Sequence, residues 1–479
     1  MEFNYCPLSV ELRRDLAELK GVPVVRFPPE PSGQLHLGHL KALSLNYCIA
    51  KQYKGKFIVR FDDTNPSTES SEFEQGILED IKKLGVVIDK LTATSDNFSE
   101  IMACAEVLLM SGDAYVDLTD VATMGDERDA GLESKFRNSK DSLALWQQMK
   151  LGDLTNGCVR LKINMKSTNK VMRDPAIYRC VAGKHHRTGT KFYVYPVYDW
   201  ACPIVDSLEG ITHTLRSSEF CDRDELYNWI LGALKMRIPK MFHYGKLNVG
   251  GAIMSKRKIK ELILSGECSS WSDPRLYTLR GMFNRGMTYA ALDILMKDTG
   301  YTKGVIAVDP TTIWGINRKI INKRSARYCV VPEDSKVYEL DLCEAQAVSK
   351  DIPKFKNEIS LGMRKFFFDR EIYLVTTEVE TIPDNTEITL MNIGNAILVN
   401  NKLIPKFDGD VKKTAHKLLC VGKTNAAVIT IISYDKSQMI KTKYIGEPAI
   451  TSTLPGEFVQ FMKMDYYMCV SSGTFIHVP

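Results

Sequence analysis

From Val22 to Leu43 the chain reads VPVVRFPPEPSGQLHLGHLKAL, and no other stretch restricts the fold as tightly. The β-branched run VPVVRF predicts a short strand. Pro28, Pro29 and Pro31 then remove backbone donors and forbid helix until Gly33. Apolar residues at Leu37, Leu40, Leu43, Tyr47 and Cys48 recur at helical spacing, and Gly55 closes that element. A strand that stops abruptly ahead of a helix sets free backbone N–H groups and a positive dipole end beside the strand's carboxyl terminus, where phosphates are attracted. Gly38 leaves room for a ligand against the first helical turn. His36 and His39, three residues apart on one side of that turn, can donate hydrogen bonds to phosphate or ribose oxygens. Two imidazoles at a helix start are equally explained as caps or solvated groups, so His-x-Gly-His alone leaves both readings open.

The alternation continues along the chain. FIVRF (57–61) predicts the next strand, ended by the turn DDTNP; EFEQGILEDIKKLGV and FSEIMACAEVLLMSG predict helices, and AYVDL a further strand. Strands alternating with helices of this length predict a parallel sheet covered on both faces. Between about 118 and 190 charged helical segments, Gly-containing loops and the strand-like CVRLKINM are mixed, which predicts an insertion. The pattern resumes with KFYVYPVYDWACPIVDSL, ITHTLRSSEF, DELYNWILGALKM and KMFHYGKLNV. Beyond Tyr328 the runs VYELDL, EIYLVTTEV, TEITLMN, NAILVN, AAVITIISY and EFVQFMKMDYYMCV are separated by turn residues. They predict an all-β region of one or two barrels or sandwiches. A chain of 479 residues has room for several such cores.

A second chemical signal lies in GGAIMSKRKIKEL, Gly250 to Leu262. The Gly-Gly pair allows motion, and Lys256, Arg257 and Lys258 at a helix start stand where a triphosphate wants cations; a solvated basic face explains the run equally. Net charge is only +5, but residues 235–327 hold 18 Lys/Arg against 6 Asp/Glu, a local +12, whereas 331–479 hold 17 against 19. That asymmetry fits a polyanion partner or a solvated surface. Twelve cysteines without a Cys-x-x-Cys pair speak against a zinc knuckle or a disulfide framework and fit a reducing compartment. No apolar run is long enough for a membrane span, and MEFNYCPLSVELRRDL lacks the apolar core of a signal peptide, so a cytoplasmic protein with no membrane partner is expected.

Taken together, RFPPEPSG, HLGH, VRFDDTNP, MRDPAIYRC, KHHRTG, YDWACPIVDSLEGITHTLR, MSKRK, WSDPRLYTLRG and IWGINRKII follow the order and spacing of the glutamyl- and glutaminyl-tRNA synthetases of the archaeal and eukaryotic type. The chain resembles that class I family over nearly its whole length, most strongly from 22 to 330. The resemblance implies an α/β catalytic fold, a Rossmann-like doubly wound parallel sheet formed by 1–117 and 193–248. It implies an inserted acceptor-end-binding domain at 118–192, a Met-Ser-Lys loop with a helical stem-contact region at 249–330, and all-β anticodon-binding barrels at 331–479.

Roles follow from the same resemblance. His36, Gly38, His39 and Lys256 are the expected catalytic residues, with Ser255, Arg257, Glu219 and Leu247 beside ATP; Mg²⁺ is implied by the triphosphate, with no dedicated protein metal site. Asp62 matches the carboxylate that takes the substrate's α-amino group, and Tyr198 the pocket tyrosine. Arg26 is a second cation near the amino acid, and Cys202 either lines that pocket or belongs to the core. Val197 and Trp200 depart from the family's usual Thr and Phe. Arg216, after Leu215, stands where glutamyl enzymes resemble one another in carrying Arg, which implies L-glutamate as substrate; an ion pair with Glu219 is its structural alternative. Glu30 is expected to contact the 3′-terminal nucleotide of tRNA(Glu), and HHRTG (185–189) and VKKTAHK (411–417) to meet RNA. A glutaminyl-tRNA synthetase is the near alternative and a catalytically silent tRNA-binding paralogue the distant one. The N-terminal appended domain of many eukaryotic members is not seen, so multi-synthetase partners are not evident from this chain.

Overall fold

Val24–Phe27 (β1), Lys56–Phe61 (β2) and Lys90–Ala93 (β3) form a parallel sheet in that order, Arg26 in register with Ile58 and Ile58 with Lys90. Five of the six β2 residues are buried, as expected of a strand covered on both faces. The computed structural model describes residues 6–342, 348–435 and 438–479; Cys343 lies outside the described residues. Between β1 and the next helix the Pro-rich segment stays non-helical past Gly33. Its carbonyls serve the sheet instead: Asp62 N donates to Pro29 O at 3.0 Å and Ser70 N to Pro31 O at 3.1 Å. The helix therefore begins at Leu37 and runs to Gln52, with extended His36 as its N-cap. Eleven of its residues are buried, among them Lys41, whose ammonium donates to Gly245 O at 2.8 Å. Gly245 passes so close to the Gly304 carbonyl that a Cβ there would lie 1.6 Å from its oxygen.

Ala114–Asp117 (β4) is the strand expected of AYVDL but does not join the parallel sheet. It pairs antiparallel with Cys158–Leu161 (β5), which pairs with Ala176–Cys180 (β6) and that with Val194–Pro196 (β7). Pattern alone could not separate it from the parallel run, because β4 is buried on both faces like β2. After this four-stranded antiparallel sheet, His213–Ser217 (β8) and Lys240–Tyr244 (β9) pair parallel. Thr212 sets β8 beside β1: its N–H donates to Val24 O and its Oγ1 accepts from Val24 N, each at 2.9 Å. Leu247–Val249 (β10) then pairs parallel with Ile306–Val308.

Two compact units result. The first holds everything up to Leu264 with Tyr277–Arg280 and Asp293–Val308; the second holds Ser265–Leu276, Gly281–Leu292 and Asp309–Pro479. Within the second, two seven-stranded sheets curl around cores that include Tyr328, Ile429, Phe461 and Phe475 in one, and Leu340, Phe366, Ile388 and Leu403 in the other. The strand Gln438–Gly446 escapes sequence patterning because its first six residues are exposed and lack any apolar alternation. EIYLVTTEV likewise splits into the strand Glu371–Leu374 and a helical turn, Thr376–Val379.

Candidate active site

The carboxyl ends of β1, β2, β8 and β9 open on a cavity of about 950 Å³, with Pro28–Glu30, Asp62, Ser217 and Tyr244 in its wall. Ligands bind at this end of parallel sheets, where helices start and loops are free to vary. The cavity brings together Arg26, Glu30, His36, Gly38, His39 and Asp62 with Tyr198, Arg216, Glu219, Leu247, Ser255 and Lys256.

At the helix start both readings of the histidines hold at once. Gly38 N donates to His36 Nδ1 at 3.0 Å and His36 N to His39 Nδ1 at 3.2 Å, and the two rings stack at 3.8 Å. Each Nδ1 is thereby an acceptor, which leaves each neutral ring its proton on Nε2 and a donor for the cavity. Burial, then the charge of Lys256, pushes His36 down to about 4, and burial, then His36, pushes His39 well below the usual range. These rings thus offer neutral N–H donors rather than positive charge. Gly38 is required by the same packing, since a Cβ would come within 2.9 Å of the His36 ring.

The opposite end is built on charge. Arg216, the penultimate residue of β8, is 5% exposed, and its guanidinium lies 5.4 Å from the ring centres of both Phe220 and Tyr227. Its Nη1 donates to Asp224, not Glu219, at 3.2 Å, and its buried Nε has no hydrogen-bond partner. Burial, with Asp63 next, pushes Asp62 up to about 7, as suits a carboxylate awaiting a cation. Arg26 lines the cavity as a second cation, but one already paired. Its Nε and Nη2 donate to Asp206 at 2.9 and 3.1 Å, and Arg60 shares that carboxylate at 2.6 Å. Arg26 and Arg60 also approach Cys202 Sγ at 3.9 and 3.8 Å; Cys202 lies behind the wall, outside the cavity lining, and Trp200 is buried in the core.

Lys256, at the start of the helix Lys256–Leu264, donates to Glu30 O at 3.0 Å, to Glu30 Oε2 at 3.2 Å and to Ser32 Oγ at 2.9 Å. Lys258 also lines the cavity, whereas Arg257 points away, 89% exposed and paired with Glu261 one turn on. Successive helical residues are about 100° apart, so three adjacent cations cannot face one ligand. HHRTG is likewise engaged internally: His185 Nε2 meets Asp63 O at 2.8 Å, and His186 Nε2 and Arg187 Nε meet Glu74 at 2.7 and 2.8 Å. These contacts tie the loop to the end of β2 and to the helix Ser71–Lys83. Glu69, Arg179, Lys246 and Asn248 also line the cavity and escaped sequence reasoning. Glu69 is 8% exposed with an unpartnered Oε2, and its only sequence signal is its nearness to the DDTNP turn.

This layout meets its counterpart among known proteins. Residues 23–323 match the family described as tRNA synthetases class I (E and Q), catalytic domain, and residues 325–418 the anti-codon binding domain of the same group. The chain belongs to the class I (E and Q) tRNA synthetases. The synthetase is 37% identical to the probable cytoplasmic glutamate–tRNA ligase of Encephalitozoon cuniculi (strain GB-M1), over 98% of this chain and 77% of that one. It is 41% identical to the corresponding protein of Schizosaccharomyces pombe, over 87% of this chain and 61% of that one, and 40% identical to the cytoplasmic glutamate–tRNA ligase of Arabidopsis thaliana, over 95% and 68%. It therefore spans 61% to 77% of the length of these relatives. Its fold is a class I catalytic domain followed by an all-β anticodon-binding region, and ATP is the substrate expected of the class.

Proposed function

We propose that this synthetase activates L-glutamate with ATP and transfers it to the 3′-terminal adenosine of tRNA(Glu). The single observation that carries the reading is Arg216: a buried guanidinium at the cavity end whose Nε lacks a partner. A γ-carboxylate supplies that partner and a charge; the amide of glutamine would leave a buried cation poorly compensated, at a cost of several kcal/mol. The names of the relatives support the same choice.

In this reading Asp62 accepts the α-ammonium and the Tyr198 ring closes the wall beside it. The α-carboxylate attacks the α-phosphorus of ATP in line; a P–O bond forms as the bond to the β-phosphate breaks, and pyrophosphate leaves. His36 and His39 donate Nε2–H to phosphate oxygens, Ser255, Glu219 and Leu247 border the nucleotide, and Lys256 stabilises charge on the departing pyrophosphate. Lys256 must first exchange Glu30 for phosphate, and Gly250-Gly251 gives the segment its freedom. The terminal ribose hydroxyl then attacks the acyl carbon and AMP leaves, with Glu30 beside that nucleotide. Of the cavity carboxylates, Glu30 and Glu219 are paired with Lys256 and Lys246, and no Mg²⁺ ligand set is assigned to the protein in this reading. Mg²⁺ enters as the counter-ion of the triphosphate.

The same reading gives 118–192 to the acceptor end, 249–330 to the tRNA stem and 331–479 to the anticodon, with exposed Lys412, Lys413 and Lys417 available to backbone phosphates. It places the activity in the cytoplasm; among the described residues no helix is long and apolar enough to cross a membrane. Amino-acid-dependent charging of total tRNA tests it. Glutamate esterification is the expected result, charging with glutamine alone overturns the substrate, and no charging favours a tRNA-binding paralogue.

A further inference from the structure

Arg216 does not hold its own orientation. Its long side chain carries about 2 kcal/mol of rotamer entropy when free. The rings of Phe220 and Tyr227 restrict the plane of the guanidinium but not its rotation within that plane. Rotation is set by Asp224, the first residue of the helix Asp224–Ala233, whose Oδ1 accepts from Nη1 at 3.2 Å. Asp224 is held in turn by β9. His243 stands in register with Arg216 on the neighbouring parallel strand, and its Nε2 lies 3.2 Å from the same carboxylate oxygen. A carboxylate only accepts, so that Nε2 carries the proton. Neither Asp224 nor His243 lines the cavity.

We infer that Asp224 and His243 are positioning residues: His243 anchors Asp224, and Asp224 fixes the orientation in which the Arg216 guanidinium meets the substrate's side-chain carboxylate. The inference rests on the reading of Arg216 as the partner of glutamate. Anchors of this kind act by keeping a donor within a narrow range of geometry. Asp224 therefore sets amino-acid recognition while leaving the nucleotide end of the cavity alone.

Steady-state charging of tRNA by the full chain, with glutamate and ATP varied separately, tests the arrangement. Asp224→Ala is expected to raise the glutamate KM about tenfold or more while kcat and the ATP KM stay within about twofold. Asp224→Asn, which keeps an acceptor oxygen toward Nη1, recovers most of the loss. His243→Gln raises the glutamate KM a few-fold, and in combination with Asp224→Ala adds nothing further, as for two residues of one relay. An unchanged glutamate KM, parallel changes in both KM values, or fully additive variants would overturn the inference. Should Asp224→Ala fail to fold, His243→Gln decides: at an unchanged melting temperature a raised glutamate KM supports the relay and an unchanged one rejects it. The unaltered chain separates the two levels, because its failure to charge glutamate defeats the substrate reading, whereas the variants address only the positioning.

Discussion

The two ends of the cavity are held in different ways. At the amino-acid end Arg26, Arg60 and Asp206 are at most 1% exposed and lock one another from three elements, so the floor under Arg216 is set before any ligand arrives. At the nucleotide end Lys256 rests on Glu30 through an ion pair whose side chains are 22% and 44% exposed, a contact that solvent screens and a phosphate can replace. In the proposed reading, charge placement is permanent where the amino acid is selected and exchangeable where pyrophosphate departs.

The largest effect should come from breaking the permanent end. Asp206→Ala leaves Arg26 without a carboxylate, Arg60 with Glu209 alone and the Tyr227 hydroxyl without its acceptor, and should cost about 3–5 kcal/mol of stability in denaturant titration. A loss below 1 kcal/mol would show that the floor is not preset. Next, Arg216→Cys should lower kcat/KM for glutamate by about 10²–10³ while ATP binding changes little. Equal losses toward both substrates would refute the division. At the exchangeable end Lys256→Ala should reduce kcat by about 10² with the glutamate KM held, and an unaltered kcat would remove Lys256 from the chemistry.

The smallest effect sharpens the contrast through pH. Asp62, pushed up to about 7, takes a proton as pH falls, and only its ionised form accepts an ammonium. The glutamate KM should therefore rise roughly tenfold per unit below that point. The ATP KM should show no His36 titration over the same range, since that ring stays neutral down to about 4. A glutamate KM flat from pH 5 to 8 would take Asp62 out of ammonium recognition.

Local chemistry was legible wherever a residue acts within its own turn. The prolines after β1, the His-x-Gly-His cap and the Met-Ser-Lys helix start all lie where the chain's pattern puts them, because such constraints reach only a few residues. That Arg26 is already paired could not be read from its neighbourhood, because its partner Asp206 stands 180 residues away. That Arg187 and His186 are paired was hidden likewise, because Glu74, more than a hundred residues earlier, is their partner. Arg257 turned outward because the helix starts at Lys256, and the phase of a short basic run cannot be known before its first helical residue is.

The amino-acid sequence by itself determined which groups are available: two imidazoles on one turn, a lysine at a loop-to-helix junction, and an arginine ending a strand. Only the tertiary structure decided that the Arg216 Nε lacks a partner while the Arg26 Nε has one, and that burial raises Asp62 while Asp206 is held by two guanidinium groups. The physical reason is that a charge's character depends on its burial and its nearest opposite charge, and here those neighbours come from strands and helices far apart in the chain.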